Sequence, residues 1–157
     1  MKKYATYIKA GLVLLLLIFI IVDVGSVPIS KEPIEKVRDE INKVSGFAEV
    51  PEAADRMLKR FYGLEPGDYE GVVLYTSQDN MSVEEMLLIK LKDVSQGDTV
   101  KVAIEEHVSD QLDRFEGYGA EQVSMLNAHV LNVKGNYIFF MVGDNAQEAQ
   151  KAFLKSI

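Results

Sequence analysis

Ala10 to Val22 (Ala-Gly-Leu-Val-Leu-Leu-Leu-Leu-Ile-Phe-Ile-Ile-Val) is thirteen consecutive residues without a polar side chain, and this run limits what the chain can become more than any other feature. A surface helix keeps one polar side, so a helix apolar all round must be buried in protein or in lipid. The rest of the chain is too short to need such a helix at its centre, which leaves lipid. Thirteen helical residues rise about 20 Å, short of a hydrocarbon core of roughly 30 Å. If Lys9 snorkels, the span lengthens to Tyr4 through Val22 or Val24, about 20 residues, and Tyr4 and Tyr7 fall at the interface. Residues 4–24 are therefore expected to contact the membrane. Lys2, Lys3 and Lys9 precede the run, so the positive-inside rule keeps the N-terminus cytoplasmic and exports residues 27–157. A cleaved signal peptide fits the same pattern, with Val24-Gly25-Ser26 as a small-residue cleavage site. The retained anchor, single-pass in the cell membrane, is preferred because the full stretch is long enough to span. Cleavage would instead give a secreted domain.

A chain of 157 residues accommodates one globular domain plus an appendage. The divisions expected are 1–26 for the anchor, 27–33 for a linker with two prolines, and 34–157 for an extracytoplasmic domain. The exported part holds 14 basic against 23 acidic residues, a net charge of −9, which argues against nucleic acid or an anionic lipid surface as its partner. With no cysteine there is no disulfide, thiol nucleophile, zinc ribbon or lipid-modified thiol. No cofactor is expected.

Within the domain, Ile34, Val37, Ile41 and Val44 recur at helical spacing between Pro33 and Gly46. A second helix is read from Pro51 to Tyr62, with Ala54, Met57, Leu58 and Phe61 on one face and Gly63 as its stop. Tyr69 to Thr76 reads as a first strand. Glu84 to Lys92 reads as a second, with Leu87, Ile89 and Leu91 alternating with Leu88, Lys90 and Lys92. Val100, Ala103, Ile104, His107, Val108, Gln111, Leu112 and Phe115 then keep to one face of a long helix from about Ser95. Gly117 and Gly119 end it, and Ala120 to Asn127 can form a short helix. Ala128 to Val133 and Tyr137 to Val142 form a hairpin about Gly135-Asn136, and the second of these strands is apolar on both faces, hence central. A last helix runs from Ala146 to Ser156, with Asn145 and Glu148 spaced as a capping box. The order α-α-β-β-α-(α)-β-β-α implies an α+β fold: a four-stranded antiparallel sheet from two hairpins with helices packed on it.

Few residues offer chemistry. His107 lies beside Ile104 and Val108 and is read first as a partly buried packing residue, as is His129 beside Leu131 and Val133. Nothing in sequence brings the two together. Glu106, Asp110 and Asp113 form an acidic stripe that reads as a solvated helix face, with Arg114 four residues after Asp110 as an ordinary ion-pair partner. The Gly-x-Ser-x-Gly elbow, Gly-x-Gly-x-x-Gly, P-loop and His-Glu-x-x-His patterns are absent from the sequence. Tyr118, between two glycines, has two readings. One is a core-facing plug at the helix end, with the glycines permitting positive φ; the other is an exposed aromatic platform for a sugar or partner.

Phe115-Glu116-Gly117-Tyr118 followed by Glu121-Gln122, and then Gly135-Asn136-Tyr137, resembles domain-of-unknown-function family 4358, membrane-anchored or lipoprotein envelope proteins of Gram-positive bacteria. The resemblance covers roughly Tyr69 to the C-terminus and brings no catalytic residue. Many relatives look like lipoproteins with a cysteine after the apolar segment; here a transmembrane anchor would replace the lipid. The resemblance also implies, through gene neighbourhood, an accessory role beside membrane-bound O-acyltransferases that decorate envelope polysaccharides.

The function expected is therefore a non-enzymatic, membrane-tethered domain that binds or scaffolds an envelope membrane-protein partner, with Tyr118, His107 and His129 as candidate binding residues. The alternatives are an envelope polysaccharide- or peptidoglycan-modifying enzyme working through carboxylates or the histidines, and a small-ligand-sensing domain with an enclosed pocket.

Overall fold

The computed structural model describes residues 29–79 and 81–157, together with Gly11 and Val13. The expected anchor over residues 4–24 lies, apart from Gly11 and Val13, outside the described residues. Among the described residues no helix is long and apolar enough to cross a membrane.

The strands form where β-branched and aromatic residues crowd between turn signals: β1 is Gly71–Thr76, β2 Glu85–Lys90, β3 Val130–Lys134 and β4 Tyr137–Val142. They make one antiparallel sheet in the order β1-β2-β4-β3, so the two hairpins join through their second strands. Leu87 stands opposite Leu74 on one side and Phe140 on the other, and Leu131 pairs with Phe140 in turn. β4 is central, as its two apolar faces require. β2 is central as well and buried along its whole length, so its alternation does not mark a solvent face: Lys90 is buried with its Nζ 2.7 Å from Glu70.

Five helices cover both faces of this sheet. Helices α1 (Ile34–Ser45) and α5 (Ala146–Ser156) pack Val37, Ile41, Ala149 and Phe153 onto Val73, Leu88, Phe139 and Met141. On the opposite face, α2 (Asp55–Tyr62), α3 (Gly97–Phe115) and α4 (Ala120–Asn127) pack Leu58, Val100, Ile104, Phe115 and Leu126 onto Leu74, Leu87, Ile89, Ile138 and Phe140. The α+β class and element order are as the sequence predicts.

Two local expectations need correction. α2 begins at Asp55, not near Pro51, because the preceding residues stay extended and the Ala53 N–H donates to Leu74 O at 2.8 Å, occupying part of the outer edge of β1. The capping box at α5 does not form. Asn145 has φ −93° and ψ 11°, whereas a side-chain N-cap needs extended backbone, and its side chain makes no capping bond. The box sits instead ahead of α3, where Asp93 accepts from the Ser95 N–H at 2.8 Å and Gln96 Oε1 accepts from the Asp93 N–H at 3.1 Å.

The sheet has two distinct ends. At one, the linker end, β1 begins, β2 finishes and the β3–β4 turn lies; at the other, the loop end, are the β1–β2 loop and the β4–α5 turn. Six strand residues separate them by about 20 Å.

Candidate functional site

A buried carboxylate is costly unless donors satisfy both of its oxygens. Glu85, the first residue of β2, shares its face with Leu87 and Ile89 and is therefore carried under α2 and α3. Two side chains meet it there. The Tyr62 hydroxyl, at the last residue of α2, donates to Oε2 at 2.9 Å, and His107 Nε2, in the middle of α3, lies 2.7 Å from Oε1. All three residues are buried. The imidazole is flanked by Phe61 (centroids 5.5 Å apart, 27° between planes) and Tyr62 (4.6 Å, 45°). Burial first, then the charge and hydrogen bond of Glu85, hold the Tyr62 hydroxyl well above its ordinary range. The network ties two helices to the central strand.

Toward the loop end, Glu85 forms the floor of a cleft of about 170 Å³. Its walls are Arg60 and Phe61 of α2, Gln111 and Arg114 of α3, and Asp79 and Glu84 of the β1–β2 loop. The ion pair expected between Asp110 and Arg114 is not among those formed; α3 pairs Lys101 with Glu105 instead, at 3.7 Å. Gln111 Oε1 is the one buried side-chain polar atom without a hydrogen-bond partner among the described residues. A second hollow, of about 420 Å³, opens at the same end between Gly46, Phe47 and Val50 after α1 and Gly143 and Asn145 before α5. The two share Thr76, Ser77 and Glu84, so they flank the β1–β2 loop on its two sides.

His129 lies apart from this arrangement. Its Nδ1–H donates to Leu126 O at 2.6 Å and its ring rests 5.7 Å from Phe140, so each histidine has its own partners. Tyr118 is not a core plug. It is 63% exposed at the loop end, and the plug is Phe115, fully buried three residues earlier. Positive φ also belongs to one flanking glycine only, Gly117 at 84°; Gly119 has φ −103° and is required for space, since a Cβ there would sit 2.7 Å from Phe115 Cδ1.

The linker end carries a different construction. Asn136, buried in the β3–β4 turn, accepts from the Ser30 N–H through Oδ1 at 2.9 Å and donates through Nδ2 to Ser30 O at 3.1 Å. The Tyr137 hydroxyl donates to Glu32 O at 2.7 Å. These three bonds clamp residues 30–32 to the sheet.

Tyr62, Glu85 and Asn136 are missing from the residues singled out in the sequence. A signal existed for Glu85, a charge in phase with Leu87 and Ile89 on a buried strand face. Tyr62 reads only as a helix end, and Asn136 as a turn residue within the stretch that carries the family resemblance.

The family model described as Domain of unknown function (DUF4358) matches residues 32–143, about seven-tenths of the chain. The match begins in the clamped linker and ends just after β4, so it reaches further toward the N-terminus than the resemblance and stops short of α5. No curated protein and no solved structure matches. The matched stretch contains the whole sheet, the Tyr62–Glu85–His107 network and Asn136, though not the Ser30 that Asn136 holds, and on that extent the chain belongs to the family described as Domain of unknown function (DUF4358).

Proposed function

We propose that this chain is a non-enzymatic, membrane-tethered extracytoplasmic binding domain, an accessory of the cell envelope whose partner surface is the loop end of the sheet. The supporting observation is the Asn136 clamp. It fastens the residues that follow the apolar segment to the linker end, so a bilayer holding residues 4–24 would lie at that end. The two hollows flanking the β1–β2 loop and the exposed Tyr118 then face away from the membrane, about 20 Å or more from the attachment point. The partner this orientation favours is another envelope membrane protein with its own extracytoplasmic part, such as a component of a polysaccharide O-acylation system. A photocrosslinking residue placed at Tyr118, with one at Lys92 of the linker end as control, tests the reading in membranes. A specific membrane-protein adduct is expected from position 118 and not from 92, and is lost when residues 1–26 are deleted. Monomer without adduct from either position would overturn it.

A polysaccharide- or peptidoglycan-modifying enzyme is the second reading, favoured by one observation: Glu85, with His107 behind it, floors the cleft. Both oxygens of Glu85 and His107 Nε2 are already engaged, which favours a supporting role. Turnover of an envelope polymer abolished by Glu85→Gln in a folded chain would restore the enzyme reading.

A further inference from the structure

We propose that the cleft between α2, α3 and the β1–β2 loop binds a small zwitterion, a solute of α-amino-acid size carrying one carboxylate and one ammonium group. The first ground is the arrangement of charge. Arg60 and Arg114 stand on the helical walls, and Asp79 and Glu84 stand on the loop wall. None of these four forms an ion pair among the described residues, although seven other lysines and arginines do. The opposite charges thus line one gap that they do not close. A simple anion placed there would meet Asp79 and Glu84, and a simple cation would meet the two guanidinium groups. A molecule with both charges satisfies both walls, its carboxylate on the arginines, whose planar donors suit a carboxylate, and its ammonium toward the loop.

The second ground is the unpartnered carboxamide oxygen of Gln111, a residue lining the same cleft. A buried oxygen without a donor is destabilising, so a ligand that supplies one is favoured. The terminal torsion of glutamine is soft, so the amide can turn to a donor within the cleft. The third ground is size. A volume of about 170 Å³ equals that of about six waters, room to seat roughly six to eight non-hydrogen atoms, the size of a small amino acid.

The inference goes beyond the tethered-partner reading and does not depend on it. The test is a titration of the full chain in detergent micelles, observing the arginine Nε–H resonances. The probes are glycine, L-alanine and L-serine, with acetate and methylammonium as single-charge controls. Saturable shifts of Arg60 and Arg114 are expected with the zwitterions, and at least about tenfold weaker binding of either control. Arg60→Gln and Asp79→Asn each weaken zwitterion binding about tenfold or more with melting unchanged. Gln111→Leu weakens binding while leaving the melting temperature equal or higher, because it removes the orphaned oxygen. No saturable shift up to about 50 mM, or acetate binding as tightly as glycine, would overturn the proposal using the unmodified chain alone.

Discussion

Glu85 is the residue on which the site depends, and its two partners lend themselves to separate removal. Tyr62→Phe keeps the ring against His107 and Phe140 and deletes only the hydroxyl donating to Oε2. A hydrogen bond to a charged group is worth about 1.5–3 kcal/mol, and urea unfolding is expected to show a loss of that size. No change would mean that the carboxylate finds another donor. Tyr62 also sets the alkaline limit. Its folded pKa, like that of Tyr137, is raised above an ordinary value of 10.0, chiefly by burial. Above pH 10 the unfolded chain releases these protons and the native chain keeps them. The tyrosine contribution to stability is therefore full below pH 10 and falls as pH rises, by about 1.4 kcal/mol per pH unit for each such tyrosine. Stability curves from pH 8 to 12 should bend downward near 10, and Tyr62→Phe should make the descent shallower; an unchanged slope would deny the tyrosine its part. At this scale the sequence is half legible. His107 was placed by helical periodicity, and Glu85 stood in phase with Leu87 and Ile89. Their meeting depends on α3 crossing β2, which no spacing along the chain encodes.

Among the elements, the α3–α4 junction separates a residue that packs from one that does not. Phe115 ends α3 in the core, and the chain reverses over Gly117 to start α4 within five residues. Gly119→Ala would drive a methyl group into Phe115, with contacts of 2.7 Å and 3.0 Å to its ring and Cβ. Overpacking of this kind costs about 1–3 kcal/mol. Tyr118→Ala, one position earlier, removes an exposed ring and should cost less than about 0.5 kcal/mol. Thermal melts of the two variants give the comparison, and a large shift for Tyr118→Ala would return that residue to the core and end its candidacy as a contact surface. Element type was legible here because apolar periodicity changes cleanly between two and 3.6 along the chain. Strand order was legible only for β4, whose Ile138, Phe139 and Phe140 leave no polar face. β2 carries Glu85 and Lys90 into an equally buried position because Tyr62 and His107 engage the carboxylate and Glu70 pairs with the ammonium, and sequence alternation cannot distinguish a partnered charge from a solvated one.

The molecule as a whole is polar in the directional sense: a clamped linker at one end of the sheet, open hollows and an exposed tyrosine at the other. Asn136 sustains that direction, because its carboxamide holds both the N–H and the carbonyl of Ser30, as a neighbouring strand would. Gly135-Asn136 reads in the sequence as a hairpin turn, and it is one; its second role depends on a residue 106 positions away and leaves no local trace. Asn136→Ala removes both bonds while preserving the turn's backbone bond from the Leu91 N–H to Asn136 O at 2.8 Å. Two neutral hydrogen bonds at about 0.5–1.5 kcal/mol each give an expected loss of about 1–3 kcal/mol. Amide exchange at Ser30 should accelerate toward that of an unprotected linker, whereas amides of β2 and β4 keep their relative protection. On the proposed tethered reading, release of the clamp adds residues 30–32 to the connection between anchor and domain, so the crosslinks expected at position 118 should spread to the linker end. If Ser30 accelerates and the crosslinks do not spread, the direction of the domain is set by its partner and not by the clamp; if Ser30 does not change at all, the clamp contributes nothing that the Tyr137 bond to Glu32 does not already supply.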